Sequence, residues 1–147
     1  MLRATNRFIV IFLSILSLSG CALFTTHYDA IRHENFTKLQ AFHVKFINDY
    51  TEGEPKQWSK SEIDKVCDSG DLKYREALVY AKSKDNKDGT GERAVSILKE
   101  QFEDDCKFLI KRGKSFGKAW AGEHLEQIKK NYGYAIAGEL SRVGKPE

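Results

Sequence analysis

The sequence predicts an all-α fold of about four helices in an antiparallel bundle, stapled by one disulfide. The 147-residue chain has only two prolines, Pro55 and Pro146, so long segments run without a helix breaker. In these segments apolar side chains recur at spacings of three and four residues, and no useful length alternates with the period of two that is typical of strands. The short connections between the four patterns favour antiparallel neighbours.

The composition is that of a single globular domain. Apolar residues make up 41% of the chain and charged residues 31%. Arg3 and Arg7 precede the first acidic residue, and the remainder of the chain holds 22 basic and 21 acidic side chains. Because the charges balance and no Lys/Arg stripe is interleaved with aromatic residues, we expect no nucleic-acid partner.

The N-terminal segment has the features of an export signal. Arg3 and Arg7 precede an apolar run over residues 8–18, which is broken only by Ser14 and Ser17. This run is shorter than the roughly 20 apolar residues that a membrane-spanning helix needs. An export signal is therefore favoured over an ordinary membrane span.

Leu18-Ser19-Gly20-Cys21 closes the apolar run and resembles the lipobox of bacterial lipoproteins. The resemblance implies cleavage before Cys21, an S-diacylglycerol group on its sulfur and an N-palmitoyl or similar acyl group on its amino nitrogen. Two or more acyl chains anchor a protein stably, whereas one binds only marginally. An uncleaved N-terminal anchor, or cleavage by ordinary signal peptidase, is the alternative.

The resemblance divides the chain into a lipoprotein signal peptide (1–20), a lipid-anchored linker (21–26), a helical bundle domain (27–143) and a C-terminal tail (144–147). Ala22 stands where an Asp would resemble an inner-membrane retention signal, which favours the periplasmic side of the outer membrane. The five residues from Ala22 to Thr26 reach roughly 17 Å when extended. We therefore expect the domain, and its target, close to the membrane surface.

The first helix is predicted over residues 27–51. Thr26 is the expected N-cap, with Asp29 in the first turn, and Gly53 and Pro55 end the pattern. One face is formed by residues at spacings of three and four: Tyr28, Ile31, Asn35, Leu39, Phe42, Phe46 and Tyr50.

The second helix is predicted over residues 60–83, where Ser59 and Glu62 form a capping box. Gly70 within the segment 68–71 costs about 1 kcal/mol relative to Ala in a helix. A turn that splits the helix there is the alternative. The residues of its apolar face are Ile63, Cys67, Gly70, Tyr74, Ala77 and Ala81.

The third helix is predicted to begin at Thr90 and to end at Gly113, a suitable C-terminal stop. Its apolar face holds Val95, Leu98, Phe102, Cys106 and Leu109. The fourth is predicted over about 116–141. Three small residues near its end are expected to let a neighbouring helix approach closely: Gly133, Ala137 and Gly138.

Cys67 and Cys106 are predicted to form a disulfide, because export places them where disulfides persist. Their midpoint falls within the polar loop 83–91, so both lie at the same height in an antiparallel hairpin. Gly70, one turn after Cys67, is expected near Phe102, and a small residue opposite a large one favours close approach. Two free buried thiols are the alternative.

No catalytic or metal-binding motif stands out. No two histidines lie at i and i+4, so a helical zinc pair is absent from the sequence, and no cofactor is expected. Asp29 and His33 are four residues apart and favour a solvated ion pair, with a metal or acid/base pair as the alternative. His43 is interpreted as a histidine at the edge of the core, and the acidic run 103–105 as a polar helix face.

A possible contact surface lies between the third and fourth helices. Four basic and two aromatic residues are close together there: Lys111, Arg112, Lys114, Phe116, Lys118 and Trp120. This pattern suits a partner protein or phosphate headgroups. The alternative is a helix connection whose aromatic residues cap the core.

Two classes of function fit these observations. The first is a non-catalytic binding or structural module, held in the membrane by lipid on Cys21 and contacting an envelope protein or other envelope component. The second is a small periplasmic enzyme or ligand carrier, with a cleft between helices served by residues such as His33, Glu34 or His124. A deep pocket that gathers two titratable side chains would favour the second class.

Overall fold

The computed structural model describes residues 28–53, 56–84 and 89–143, and this part of the chain is an all-α, four-helix bundle. The helices are α1 (Ala30–Asp49), α2 (Lys60–Lys84), α3 (Thr90–Arg112) and α4 (Lys118–Leu140). Their ends lie within three residues of the predicted ones. α2 is continuous through Gly70, so the alternative of a turn at 68–71 is wrong. The lipobox and Cys21 lie outside the described residues.

The helix ends follow local chemistry. The Asp29 side chain accepts hydrogen bonds from the backbone N–H groups of Ile31 and Arg32, so Asp29 is the N-cap of α1. The expectation that Thr26 caps this helix is not supported, since the helix begins after Asp29 and Thr26 lies outside the described residues. Gly113 ends α3 as predicted, because its φ of 67° is a left-handed conformation that favours glycine.

Consecutive helices are antiparallel, and α1 and α3 are parallel. In the pairs Cys67–Cys106 and Lys82–Glu92, the residue number falls along α2 as it rises along α3. The pairs His43–Tyr132 and Arg32–Glu139 show the same relation between α1 and α4. Across the diagonal, by contrast, Arg32 of α1 lies beside Gly91 of α3 and Phe42 contacts Phe102, so the residue numbers of the two helices rise together. The topology is therefore up-down-up-down, in which all neighbours are antiparallel.

Packing is uneven around the bundle. α2 packs most extensively on α3, and α1 on α4, whereas the α1–α2 and α3–α4 seams are thinner. The bundle thus consists of two closely packed helix pairs with a looser seam on each side. The core between the pairs is aromatic, and its largest fully buried side chains are Tyr50, Tyr74, Tyr132, Phe36, Phe46, Phe102, Phe116, Ile47, Ile63, Leu109, Ile128 and His43.

The predicted disulfide between Cys67 and Cys106 is present, with Cα atoms 6.1 Å apart. The predicted contact beside it is also confirmed. A Cβ added to Gly70 would lie 2.3 Å from Cε1 of Phe102. Only glycine leaves the space that the Phe102 ring occupies, which explains a residue of low helix propensity in the middle of α2.

The expectation of close packing at the end of α4 is wrong for its two glycines. Among the described residues, no atom of another helix lies within 4 Å of a Cβ added to Gly133 or to Gly138. Gly138 lies at the looser α3–α4 seam, where it lines a small cavity of about 170 Å³. None of the helices in the described ranges is both long and apolar enough to cross a membrane.

Candidate functional site: a buried polar network and a groove between two helices

A carboxylate in the interior of the bundle lies between two histidines. Nε2 of His43 on α1 is 2.8 Å from Oδ2 of Asp105 on α3. Nε2 of His124 on α4 is 2.7 Å from Oδ1 of the same carboxylate, although the two groups are not aligned for a hydrogen bond. His43 is fully buried and Asp105 is 4% exposed, whereas the His124 side chain is 18% exposed. The carboxylate therefore connects the core to the edge of the α3–α4 seam.

Two tyrosines complete this buried polar network, which consists of His43, Tyr74, Asp105, His124 and Tyr132. The Tyr132 hydroxyl is 3.3 Å from Nδ1 of His43, the Tyr74 hydroxyl is 3.5 Å from the same nitrogen, and the two hydroxyls contact each other. An ionised carboxylate only accepts hydrogen bonds, so Nε2 of His43 is protonated and donates a hydrogen bond to Asp105. Nδ1 of the neutral ring then accepts from a tyrosine hydroxyl.

The protonation states of the network follow from burial and contact. Burial lowers the pKa of His43 by more than the neighbouring carboxylate raises it, so the ring is neutral at pH 7. Burial raises the pKa of Asp105, but contacts with His124 and His43 outweigh this, and the pKa lies below its ordinary value. Burial also raises the pKa of both tyrosines, which therefore stay protonated and are poor nucleophiles.

The geometry of the network is that of a buried structural element. A neutral histidine oriented by a carboxylate is also the arrangement of a general base. Here, however, the free nitrogen of His43 faces tyrosine hydroxyls in the core. No member of the network lines the small cavity beside Gly138 or the groove that separates α1 from α2. Among the described residues, no group of His, Cys, Asp and Glu side chains is arranged to hold a metal ion.

A second polar cluster lies at the end of the bundle where α1 begins. Oε1 of Glu139 is 3.2 Å from Nη1 of Arg32 and 3.1 Å from Nη1 of Arg142. Oε2 of Glu139 accepts a hydrogen bond from the backbone N–H of Asp29, whose own carboxylate accepts from the Tyr80 hydroxyl. Glu139 and Arg32 are both buried. This cluster fixes the ends of α1, α2 and α4 relative to one another.

A groove of about 580 Å³ runs along the looser seam between α1 and α2. Its floor consists of apolar side chains. Leu39 and Ala77 are nearly buried there, and Phe42 and Ile31 also line the groove. The remaining lining residues are polar or charged: Asn35, Lys38, Lys73, Glu76 and Tyr80. This volume lies within the ~300–1,000 Å³ that small-molecule sites occupy.

The predicted contact surface lies at the opposite end of the bundle from Tyr28, where α3 ends and α4 begins. Lys111, Lys114 and Lys118 are exposed there. Phe116, however, is fully buried, so its inclusion in that surface is wrong and the core-capping alternative applies to it. Trp120 is partly buried in a stack in which ring centroids lie 4.6 Å from Phe116 and 4.4 Å from His124.

The residues suggested for an enzyme cleft are not brought together. His124 joins the buried network, but Glu34 is exposed and pairs with Lys38 across 2.6 Å. His33 lies about 15 Å along α1 from His43, at 1.5 Å per residue. Asp29, expected to pair with His33, instead caps α1 and accepts from Tyr80. The structure therefore gives no support to a catalytic cleft built from these residues.

Asp105 was missed by sequence reasoning, although a signal was present. It lies seven residues after Leu98, three after Phe102 and four before Leu109, all of which are buried. It therefore belongs to the core-facing stripe of α3 rather than to a polar face. His43 lies four residues after the buried Leu39, on the core-facing stripe of α1. It lies within the core rather than at its edge. A polar residue on an apolar stripe is the pattern that would have identified the pair.

Comparison of the chain with known protein families, with curated proteins and with solved structures gave no match.

Proposed function

We propose that the protein is a lipid-anchored, non-catalytic helical module on the periplasmic side of the bacterial outer membrane, where it binds an envelope protein or another envelope component. The lipobox Leu18-Ser19-Gly20-Cys21 carries this proposal. The Cys67–Cys106 disulfide supports it, because such bonds persist in exported proteins and are rare in the cytosol. The filled aromatic core supports binding rather than catalysis.

The proposed orientation follows from Tyr28, which lies just before α1 at the end of the bundle that follows Cys21 in the chain. Only residues 22–29 separate Cys21 from α1, so in this proposal the lipid holds that end of the bundle against the bilayer. The 20 residues of α1 span about 30 Å at 1.5 Å per residue. The basic residues Lys111, Lys114 and Lys118 then lie on the far side of the domain. In this orientation they meet a component above the membrane rather than the headgroups of the anchoring bilayer.

Replacement of Cys21 tests the anchor. Cells that produce the wild-type chain or Cys21→Ala are given an alkyne fatty acid and then fractionated. We expect the wild-type protein to be labelled and to sediment with membranes, and the variant to be unlabelled. An Ala22→Asp chain should remain labelled but move to the inner membrane of a Gram-negative host. Equal labelling of wild-type protein and Cys21→Ala would refute the anchor.

Site-specific crosslinking tests the binding surface. A photoreactive amino acid replaces Lys114 in one chain and Lys82, an exposed residue at the other end of the bundle, in the control. We expect Lys114 to give a discrete crosslinked envelope component that is absent from the Lys82 control. The same products from both positions would refute a partner-binding role for the distal end.

A ligand carrier is the second candidate, and the groove between α1 and α2 is the observation that favours it. The groove combines an apolar floor with charged side chains at its edge. Ligand sites commonly have this combination of an apolar lining and a few polar groups.

A further inference from the structure

We propose that the groove between α1 and α2 binds a long-chain fatty acid anion, with the carboxylate between Lys38 and Lys73 and the acyl chain along Leu39 and Ala77 toward Ile31. This inference rests on the second candidate function, for which it names the ligand class. The site itself is argued from the groove, and only the direction of entry from the bilayer uses the lipid anchor.

The shape of the groove suits one acyl chain. From Ile31 to Phe42 the groove follows α1 for about 17 Å, at 1.5 Å per residue. Leu39 and Ala77, which are 3% and 5% exposed, form a concave apolar floor between the two helices. Ile31 continues this floor to the beginning of α1 and is 51% exposed. An acyl chain laid along the floor would cover the apolar surface of Ile31 that water now contacts.

The charges of the groove suit an anion at one end. Nζ of Lys73 lies 5.7 Å from the ring centroid of Phe42, and within the described part of the chain no carboxylate is within ion-pair distance of it. Lys38 pairs with Glu34, but both side chains are more than half exposed, so that pair is worth little and is easily exchanged. A carboxylate between these lysines would gain two cationic partners.

Glu76 fixes the direction in which the ligand lies. It lines the groove three residues from Lys73, toward Tyr80. A negative charge there repels an anionic headgroup from the Tyr80 end, so the headgroup lies at the Lys73 end and the chain runs past Ala77. In the proposed orientation, the Ile31 end faces the bilayer. A fatty acid that leaves the bilayer would enter the groove with its headgroup first. Its carboxylate would then move toward the Lys73 end, as proposed.

Photolabelling tests the site with a palmitate analogue that carries a diazirine on its chain, and with the corresponding neutral alcohol. Full-length protein as purified from membranes is reconstituted into phosphatidylcholine vesicles, labelled with each probe and analysed by peptide mass spectrometry. We expect saturable labelling of peptides that contain Leu39 or Ala77, with the fatty acid preferred over the alcohol about fivefold. Unlabelled palmitate should compete.

Two pairs of variants separate the parts of the site. Asn35→Trp fills the groove and should reduce labelling by both probes about tenfold, whereas Val79→Trp adds the same ring at a position 68% exposed outside it and should change nothing. Lys73→Glu should remove the preference for the fatty acid while labelling by the alcohol stays within about twofold. Lys65→Glu, an exposed lysine outside the groove, is its control.

Several results would overturn the site: labelling spread over peptides outside the groove, equal labelling by the two probes, or full labelling of Asn35→Trp. Circular dichroism verifies that each variant is folded. Lys73 is exposed, so Lys73→Glu still decides the outcome if Asn35→Trp fails to fold. Failure of the lipid anchor is recognised separately by membrane fractionation of Cys21→Ala, which leaves the groove unchanged.

Discussion

His43 and Asp105 are 62 residues apart in the chain, and in the interior of the bundle Nε2 of His43 lies 2.8 Å from Oδ2 of Asp105. The pair connects α1 to α3 across the diagonal of the bundle. A buried polar group without its partner costs free energy, so this pair requires α1 and α3 to keep one register. Hydrophobic packing alone tolerates more than one register.

Removal of the carboxylate should destabilise the protein. In Asp105→Ala, the Nε2–H group of His43 is left buried without an acceptor. We expect the free energy of unfolding to fall by about 1–3 kcal/mol, as measured by urea denaturation. Asp105→Asn keeps an oxygen that can accept from Nε2 and should lose less. Equal losses in the two variants would show that the hydrogen bond to His43 is not the cause.

The same pair should make stability fall on acidification. The folded-state pKa of His43 is lowered by burial, so the unfolded chain binds a proton first as pH falls below about 6.5. The folded-state pKa of Asp105 is also low, so its contribution is present above about pH 3.9 and is lost as pH falls through the folded value. Both groups therefore stabilise the folded state more at neutral pH than at acidic pH.

Urea denaturation at pH 7.5, 6.5, 5.5 and 4.5 measures this dependence. We expect stability to fall from pH 6.5 to pH 4.5 with a slope of at most about 1.4 kcal/mol per pH unit from His43. His43→Gln does not titrate in this range and should flatten that slope, while His33→Gln, on the same helix, serves as the control. A slope that is the same in wild-type protein and His43→Gln would contradict the assignment of a neutral, buried His43.

The disulfide should contribute substantially to stability. The bond closes a loop between residues 39 apart, and the chain-entropy model gives about 4 kcal/mol for a loop of that length. We expect Cys67→Ala/Cys106→Ala to unfold at lower urea concentration than the oxidised wild-type protein, and reduction of the wild-type protein to have the same effect. Mass spectrometry of alkylated, non-reduced protein should find no free thiol at either position. Two alkylated thiols there would contradict the bond.

The parts of the fold that the sequence predicts are those set by local periodicity. Helix ends follow from spacing along the chain. The Cys67–Cys106 and Gly70–Phe102 contacts follow from spacing within one hairpin, because the midpoint of each pair falls in the loop between α2 and α3. Spacing does not tell which face of α4 meets which neighbour, so Gly133 and Gly138 were wrongly expected at a close contact. Asp105 was assigned to the surface because of its residue type, although its position lies on the core stripe of α3. The groove depends on how closely α1 and α2 pack, which no local pattern encodes.

Glycine-to-alanine substitutions in two helices should have opposite effects on stability. In Gly70→Ala the new Cβ would lie 2.3 Å from Phe102 Cε1 and 2.8 Å from Phe42 Cε1, so rings in a packed core must move. Such overpacking costs about 1–3 kcal/mol, which exceeds the ~1 kcal/mol gained in helix propensity. In Gly133→Ala the Cβ meets nothing within 4 Å, so only the gain in propensity remains.

We therefore expect the midpoint of thermal unfolding to fall in Gly70→Ala and to rise in Gly133→Ala. Circular dichroism of the two purified variants beside the wild-type protein measures both shifts. The double variant Gly70→Ala/Phe102→Leu should recover part of the loss, because the smaller side chain leaves room for the added methyl group. Stabilisation by Gly70→Ala alone would mean that α2 and α3 lie farther apart at this point than the Gly70–Phe102 contact requires. It would also remove the steric reason for a glycine in the middle of α2.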